Sequence, residues 1–229
     1  MSLQLSMEDV EKLEDQLYDK LVEKARVDFY TFVRLMAEVV LPEEFVTGRH
    51  IELICAELQK VEESVKDKSK SPERLQLFLP PGSMKSKLSS NLFPAWCMGR
   101  NPNWCFLAIG SDFDFAVDNF GRPTKDLLST PQYQAIFPKT ILKKGRFVAR
   151  GAGQNIAGRR AHITICDDVI TEQTKDIDRR KINEWYQKGL RTRLLPRGAE
   201  IIINTRWFVE DLSGYTLKLD GQRGVNEKT

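Results

Sequence analysis

Apolar residues recur at helical spacing over the first forty positions. Val10, Leu13, Leu17, Leu21, Ala25, Phe32 and Met36 stand three, four or seven residues apart, with Glu, Asp and Lys between them. That period predicts an amphipathic helical arm over residues 1–44. Ser6 followed by Asp9 resembles a capping box and marks its start; Leu41-Pro42 ends it. The stripe suits packing on the main body and also suits a partner helix. A second face, Ile51, Ile54, Cys55 and Leu58, predicts another helix, and the Ser/Lys-rich stretch Lys66 to Lys70 predicts a surface loop.

From Leu75 the texture changes. LQLFLP, WCFLAIG, RFVAR, ITIC and EIIINTRW are short apolar, β-branched runs that read as five strands. Between them lie helical stretches: one after PPGSMKS, one over SDFDFAVDNFGRPTKDLL that Ser111 is placed to cap, and a polar one from about Lys175 to Arg193. Strands alternating with helices predict an α/β fold, a mostly parallel sheet covered on both faces. Such sheets bind ligands beyond the carboxyl ends of their strands.

The 229 residues are enough for one large α/β domain or two small ones. No apolar run approaches the ~20 residues that span a bilayer, and the acidic start MSLQLSMEDVEKLEDQ lacks the apolar region of a secretory signal. The four cysteines (Cys55, Cys97, Cys105, Cys166) form no CxxC, and the two histidines, His50 and His162, lie far apart. That pattern argues against a Cys/His zinc site and a histidine-based hydrolase, and fits a reducing compartment. The charge, 35 Lys+Arg against 32 Asp+Glu, points to no class of partner by itself.

Four stretches carry candidate chemistry. Pro80-Pro81-Gly82-Ser83-Met84-Lys85-Ser86 lies between a strand and a helix start, where backbone N–H groups and the helix dipole favour an anion. Pro81, Gly82, Ser83 and Met84 would cradle phosphates, Lys85 would reach the outer ones, and Ser86 would hold Mg²⁺. The full GxxxxGK[ST] pattern is not met: Leu79 and Met84 stand where its glycines belong. Asp167 and Asp168 end the strand ITIC, where one acid can hold a metal and the other orient the attacking water. Gly158-Arg159-Arg160 reads as a finger for a γ-phosphate, its own or a neighbour's, as a contact to DNA phosphates, or as a solvated basic turn. Asn204-Thr205-Arg206-Trp207 follows the fifth strand, where polar groups can sense a γ-phosphate or simply cap the strand. The basic run Arg179, Arg180, Lys181, Lys188, Arg191, Arg193 and Arg197 is a DNA-facing candidate, diluted by Glu172, Asp176, Asp178 and Glu184.

In order, GRHIELI, FLPPGSMKS, LAIGSDFDFAVDNFGR, YQAIFP, QNIAGRRAHITICDDV, WYQKGLRTRLLPRGAEIIINTRW and DLSGYTLKL resemble the ATPase domain of a tailed-bacteriophage terminase large subunit. The resemblance covers roughly residues 45–219. It implies a P-loop NTPase of the RecA-like ASCE type that hydrolyses ATP with Mg²⁺ to drive double-stranded DNA into a procapsid. By position it implies Lys85 and Ser86 as the Walker A lysine and hydroxyl, and Asp167 as the Walker B metal acid. Asp168 takes the place of the water-activating acid, Arg159 that of the arginine before Walker B, and Thr205 with Arg206 the coupling motif. Relatives often carry Arg or Lys early in the Walker A loop. Here Pro81-Gly82-Ser83 stands there, which moves the expected finger to Arg159 or Arg160. Asp168 is shorter than the usual Glu, so Glu172 is held in reserve as the base. Arg49 and His50 lie in the neighbourhood expected of the adenine. Arg160, Arg179, Arg180, Arg191 and Arg193 are the DNA-contact candidates.

The family also implies a portal protein, a terminase small subunit, a ring of copies (five, for a pentamer) and a place in the host cytoplasm, transiently at the portal vertex. Large subunits usually continue into a nuclease domain; residues 220–229 read as the start of a linker to it, and no nuclease activity is expected here. Two other readings stay open: a helicase-like ASCE ATPase, and a degenerate P-loop module that binds nucleotide or portal without turnover. In a packaging motor the near-balance of charge acquires a reason, since DNA must be released as well as gripped.

Overall fold

The computed structural model describes residues 6–40, 45–140 and 146–220. Its centre is a five-stranded, all-parallel sheet in the order β1-β5-β4-β2-β3. The strands are β1 (Arg74–Phe78), β2 (Cys105–Gly110), β3 (Arg146–Gly151), β4 (Ala161–Asp167) and β5 (Leu194–Asn204). All five predicted strands are present. The fifth ends sooner than its apolar run suggests, and Thr205, Arg206 and Trp207 form a loop.

Side chains alternate between two buried layers, as a pleated strand requires. Phe106, Ala108, Ile163, Ile165, Ile201 and Ile203 join one layer, beneath α2 (Phe29–Val40), α3 (Arg49–Lys66) and α4 (Phe93–Arg100). Leu107, Ile109, Cys166 and Ile202 join the other, with Tyr186, Leu190 and Leu212 from the helices on the opposite face. The three inner strands, β5, β4 and β2, are thus buried on both sides, which is why their sequences read as apolar runs rather than strict alternations, while the edge strands β1 and β3 are only partly covered.

The N-terminal arm differs from its prediction. Ser6 does cap α1 (Met7–Ala25): its hydroxyl accepts from the Asp9 N–H at 3.1 Å while Asp9 accepts from the Ser6 N–H at 3.2 Å. The helical run then breaks before α2, where the Asp28 carboxylate accepts from the Thr31 N–H at 2.8 Å. α2 shares the sheet's core through Phe29, Phe32 and Met36. The first turns of α1 do not pack: Val10, Leu13 and Leu17 are exposed, and burial begins at Val22. Leu41-Pro42 and residues 221–229 lie outside the described residues, and Asp220, the first residue of the expected linker, is the last residue of a helix, Leu212–Asp220.

The helix after the 80–86 loop is wound as a π-helix over Lys87–Leu92 before it becomes α4. The helix after β2 does the same over Val117–Gly121, between α5 (Phe113–Ala116) and α6 (Arg122–Leu128). Both of these π turns run up to a proline, Pro94 or Pro123; a third, over Tyr186–Leu190, does not. A proline has no N–H to donate and its ring crowds the carbonyl four residues back. Widening the preceding turn relieves that conflict without ending the helix. Asp112, not Ser111, caps α5, accepting from the Phe115 N–H at 2.9 Å.

α3 runs back along the sheet. Its last turn is tied to the start of β1, where Ser64 Oγ accepts from the Glu73 N–H at 3.0 Å. No helix among the described residues is long and apolar enough to cross a membrane.

Candidate functional site

Because all strands run one way, β1, β5, β4 and β2 end on one edge, and the sequence candidates meet there. β5 lies between β1 and β4, so Thr205, just past β5, stands between Lys85 and the two acids. Lys85 Nζ donates to Thr205 Oγ1 at 3.1 Å and lies 3.3 Å from Asp168 Oδ2. The Thr205 N–H donates to Asp168 Oδ1 at 2.7 Å. Lys85, Thr205 and Asp168 therefore close a small polar ring.

Beside it, Asp167 ends β4 almost fully buried, 1% exposed. Ser86 Oγ donates to its Oδ1 at 3.0 Å and Ser90 Oγ to its Oδ2 at 2.6 Å. Burial lifts its pKa to about 6; the Asp168 charge adds to the rise, and the Ser90 and Ser86 hydroxyls and Lys85 oppose it.

The loop's backbone explains its residues. Gly82 has φ +80° and Met84 φ +61°, with the helix starting at Lys85. Met84 stands where the motif expects glycine and adopts the left-handed conformation a glycine takes freely. Asp168 is also left-handed, φ +45°. Non-glycine residues in that region persist where surrounding structure over-determines them, often at functional sites.

The ring opens onto a cleft of about 440 Å³. Pro81 and Lys85 line it from the loop, Asp168 and Glu172 after β4, Thr205 and Trp207 after β5, Ser111 and Phe115 after β2. Glu172 is exposed within it. A larger hollow, about 570 Å³, lies at the start of α3 with Arg49 in its wall. It holds none of residues 80–86, whereas the smaller cleft gathers Pro81, Lys85, Asp168 and Thr205. Exposed Arg49 and His50 are on the same sheet edge as the loop, because α3 runs opposite to β1.

Among the described residues, no three His, Cys, Asp or Glu side chains converge as a metal cage. Ser86 and Asp167 nonetheless suit Mg²⁺, which takes hard oxygen ligands, keeps several waters and commonly uses one or two protein groups plus substrate phosphates.

The other predicted residues lie elsewhere. Arg159 and Arg160 immediately precede β4, at the far edge of the sheet, and seven strand residues at roughly 3.3 Å each put them about 20 Å from Asp167. The chain does not bring them to its own cleft. Arg179 is half-buried, its guanidinium 3.9 Å from the Phe208 ring centroid and one nitrogen 2.8 Å from the Thr174 carbonyl. Arg191 pairs with Asp220 at 2.5 Å, and Arg193 Nε donates to the Gly189 carbonyl at 3.4 Å. Arg197, from the same basic run, reaches the carbonyls of Ser64, Asp67 and Lys70 at the end of α3. Arg180 alone of the four DNA-contact candidates in that run is exposed, and it pairs with Asp176 at 3.3 Å. Arg206 lies outside the cleft wall, with Nε 2.7 Å from the buried Asp211 carboxylate and the guanidinium over Phe78. It fixes the loop that carries Thr205.

Sequence reasoning missed Ser90 and Phe115, read Ser111 only as a helix cap, and named Trp207 only within the stretch after the fifth strand, without a role of its own. Ser90 had a signal: it falls four residues after Ser86, on the same side of a helix. Compared with models of known protein families and with curated proteins, the chain finds no match.

Proposed function

We propose that this chain is the ATP-hydrolysing motor domain of a phage DNA-packaging terminase, a P-loop NTPase of the RecA-like ASCE type. The observation that carries the reading is the cluster itself: Lys85 and Ser86 from a strand-to-helix loop meet Asp167, Asp168 and Thr205 at the ends of neighbouring parallel strands. The five-stranded parallel sheet is compatible with that fold.

The residues divide the work as follows. Residues 82–86 offer backbone N–H groups and a helix start to the triphosphate, and Pro81, which has no N–H, shapes the turn before them. Lys85 exchanges Asp168 for phosphate oxygens when nucleotide enters. Asp168, still held by the Thr205 N–H, is then free to accept a hydrogen bond from the attacking water and take its proton. Ser86 and Asp167 would hold Mg²⁺, which when bound neutralises charge on the phosphates. Thr205 touches both Lys85 and Asp168, so the loop Arg206 anchors feels their separation. That is a route from hydrolysis to movement.

Double-stranded DNA, the portal protein, the small subunit and a ring of copies belong to the same proposal. In such a ring Arg159 or Arg160 serves a neighbour's cleft, since its own is a strand length away.

The test is ATP hydrolysis by wild type, Lys85→Ala and Asp167→Ala, each with and without double-stranded DNA. The reading requires turnover that both substitutions abolish. Turnover indifferent to both would end it. ATP binding without turnover would leave the nucleotide-binding module, a reading that the Lys85–Asp168 pair also accommodates.

A further inference from the structure

We infer that Ser90 is a positioning residue of this site: its hydroxyl fixes the Asp167 carboxylate so that Oδ1 stays beside Ser86, where a divalent cation would be shared. The inference rests on the proposed nucleotide site and adds a residue to it.

Asp167 is sealed from solvent, and each of its oxygens meets one hydroxyl, Ser86 on Oδ1 and Ser90 on Oδ2. Both hydroxyls come from one helix and one side of it. A carboxylate turns about its last torsion through a broad, two-fold profile. One donor would leave that torsion loose; two donors on a fixed spacing lock it. The helix is itself immobilised. Leu88, Leu92 and Phe93 are buried in the core. Asn91 Nδ2 donates to the Asn119 carbonyl at 2.9 Å, and the Ser90 carbonyl accepts from Thr124 Oγ1 at 3.4 Å. The π winding of Lys87–Leu92 lies over this stretch.

Ser86 has two tasks, a lone pair toward a cation and a proton toward Asp167. Ser90 is too deep to face the cleft and has only the second. Without its hydroxyl, Oδ2 is buried with no partner, and the carboxylate gains by tilting away from Ser86 to find one. Groups that orient a metal ligand are worth 10–100-fold in metal affinity.

The experiment measures binding of a fluorescent ATP analogue to the full chain across a Mg²⁺ series and in EDTA. Ser90→Ala is expected to raise the half-saturating Mg²⁺ about ten-fold or more, with affinity in EDTA unchanged. Should Ser90→Ala not fold, judged by thermal melting in EDTA, Ser90→Cys carries the same test. Its thiol fills the space but donates weakly, so a smaller rise of the same sign is expected. An unchanged Mg²⁺ midpoint in a folded variant overturns the inference. So does an equal loss of binding with and without Mg²⁺, which marks a structural role alone. Wild type that binds nucleotide without regard to Mg²⁺ is a different result, and it overturns the site reading and this inference with it.

Discussion

Lys85 Nζ sits 3.3 Å from Asp168 Oδ2, in a pair whose lysine side chain is 7% exposed and whose carboxylate is 27% exposed. The residue expected to bind phosphate is thus held by the residue expected to activate water. On the proposed function, nucleotide would have to break that pair, and breaking it would free the base. Asp168→Asn keeps an acceptor for the Thr205 N–H but removes the charge that competes for Lys85. ATP affinity is therefore expected to hold or rise, while kcat falls by roughly 10²-fold or more, the usual worth of a general base. Lys85→Ala should lose affinity and turnover together. Equilibrium binding alongside steady-state hydrolysis separates the two. If Asp168→Asn keeps its turnover, Glu172, which also lines the cleft, becomes the base.

Asp167 gives the clearest pH dependence. Its folded pKa is raised from 3.8 to about 6, with burial the largest cause. A carboxyl with a raised pKa binds its proton more tightly in the folded state, so its contribution favours folding below pH 4 and is lost as pH rises through 6. At pH 7 without metal, the ionised group opposes folding by up to about 3 kcal/mol. Asp167→Asn should therefore raise the thermal midpoint at pH 7 in EDTA and change it little at pH 4. The same substitution should abolish Mg²⁺-dependent nucleotide binding. Melting curves at the two pH values, with and without Mg²⁺ and nucleotide, check both halves. A lower midpoint for Asp167→Asn at pH 7 in EDTA would refute the burial penalty.

The sheet was legible because doubly buried strands leave apolar runs between polar helices, and the order of strand ends placed Lys85, Asp167 and Thr205 on one edge. What was hidden has physical causes. Arg179, Arg191 and Arg197 read as a DNA face, but their guanidinium groups turn inward, to Phe208, Asp220 and the end of α3. Sequence gives a charge and not its direction. Arg159 lies eight residues from Asp167 in sequence, close enough to suggest a shared site. An extended strand spends that separation as distance. The arm's stripe is periodic over its whole length, yet only its last part finds a surface. Periodicity measures the ability to pack, not the presence of a partner.

Met84 offers a test of backbone against consensus. Its φ of +61° costs a non-glycine residue about 1–2 kcal/mol, and its side chain recovers part of that by packing against the core. Met84→Gly removes strain and packing together, so stability should change by no more than about 1 kcal/mol, and nucleotide binding should survive. Met84→Val should do worse on both counts, because a β-branched residue tolerates positive φ poorly. Denaturant midpoints and nucleotide affinity for the two variants decide the matter. Loss of binding in Met84→Gly would mean that the side chain, not the turn, is what the site needs.

Arg159 stands about 20 Å from its own Asp167, the length of β4. A finger at that distance works only between copies. Hydrolysis per molecule should therefore rise with protein concentration, and Arg159→Ala should lower turnover while leaving ATP affinity unchanged. Mixing supplies the sharper measurement. Lys85→Ala subunits lack a working cleft but keep Arg159, and Arg159→Ala subunits have the reverse defect. Combined, they should recover a fraction of wild-type hydrolysis, because some interfaces join an intact cleft to an intact arginine. Running the mixture against Arg160→Ala in place of Arg159→Ala identifies which of the two arginines reaches across. Activity in the mixtures no greater than the sum of the separate variants would exclude a finger acting in trans.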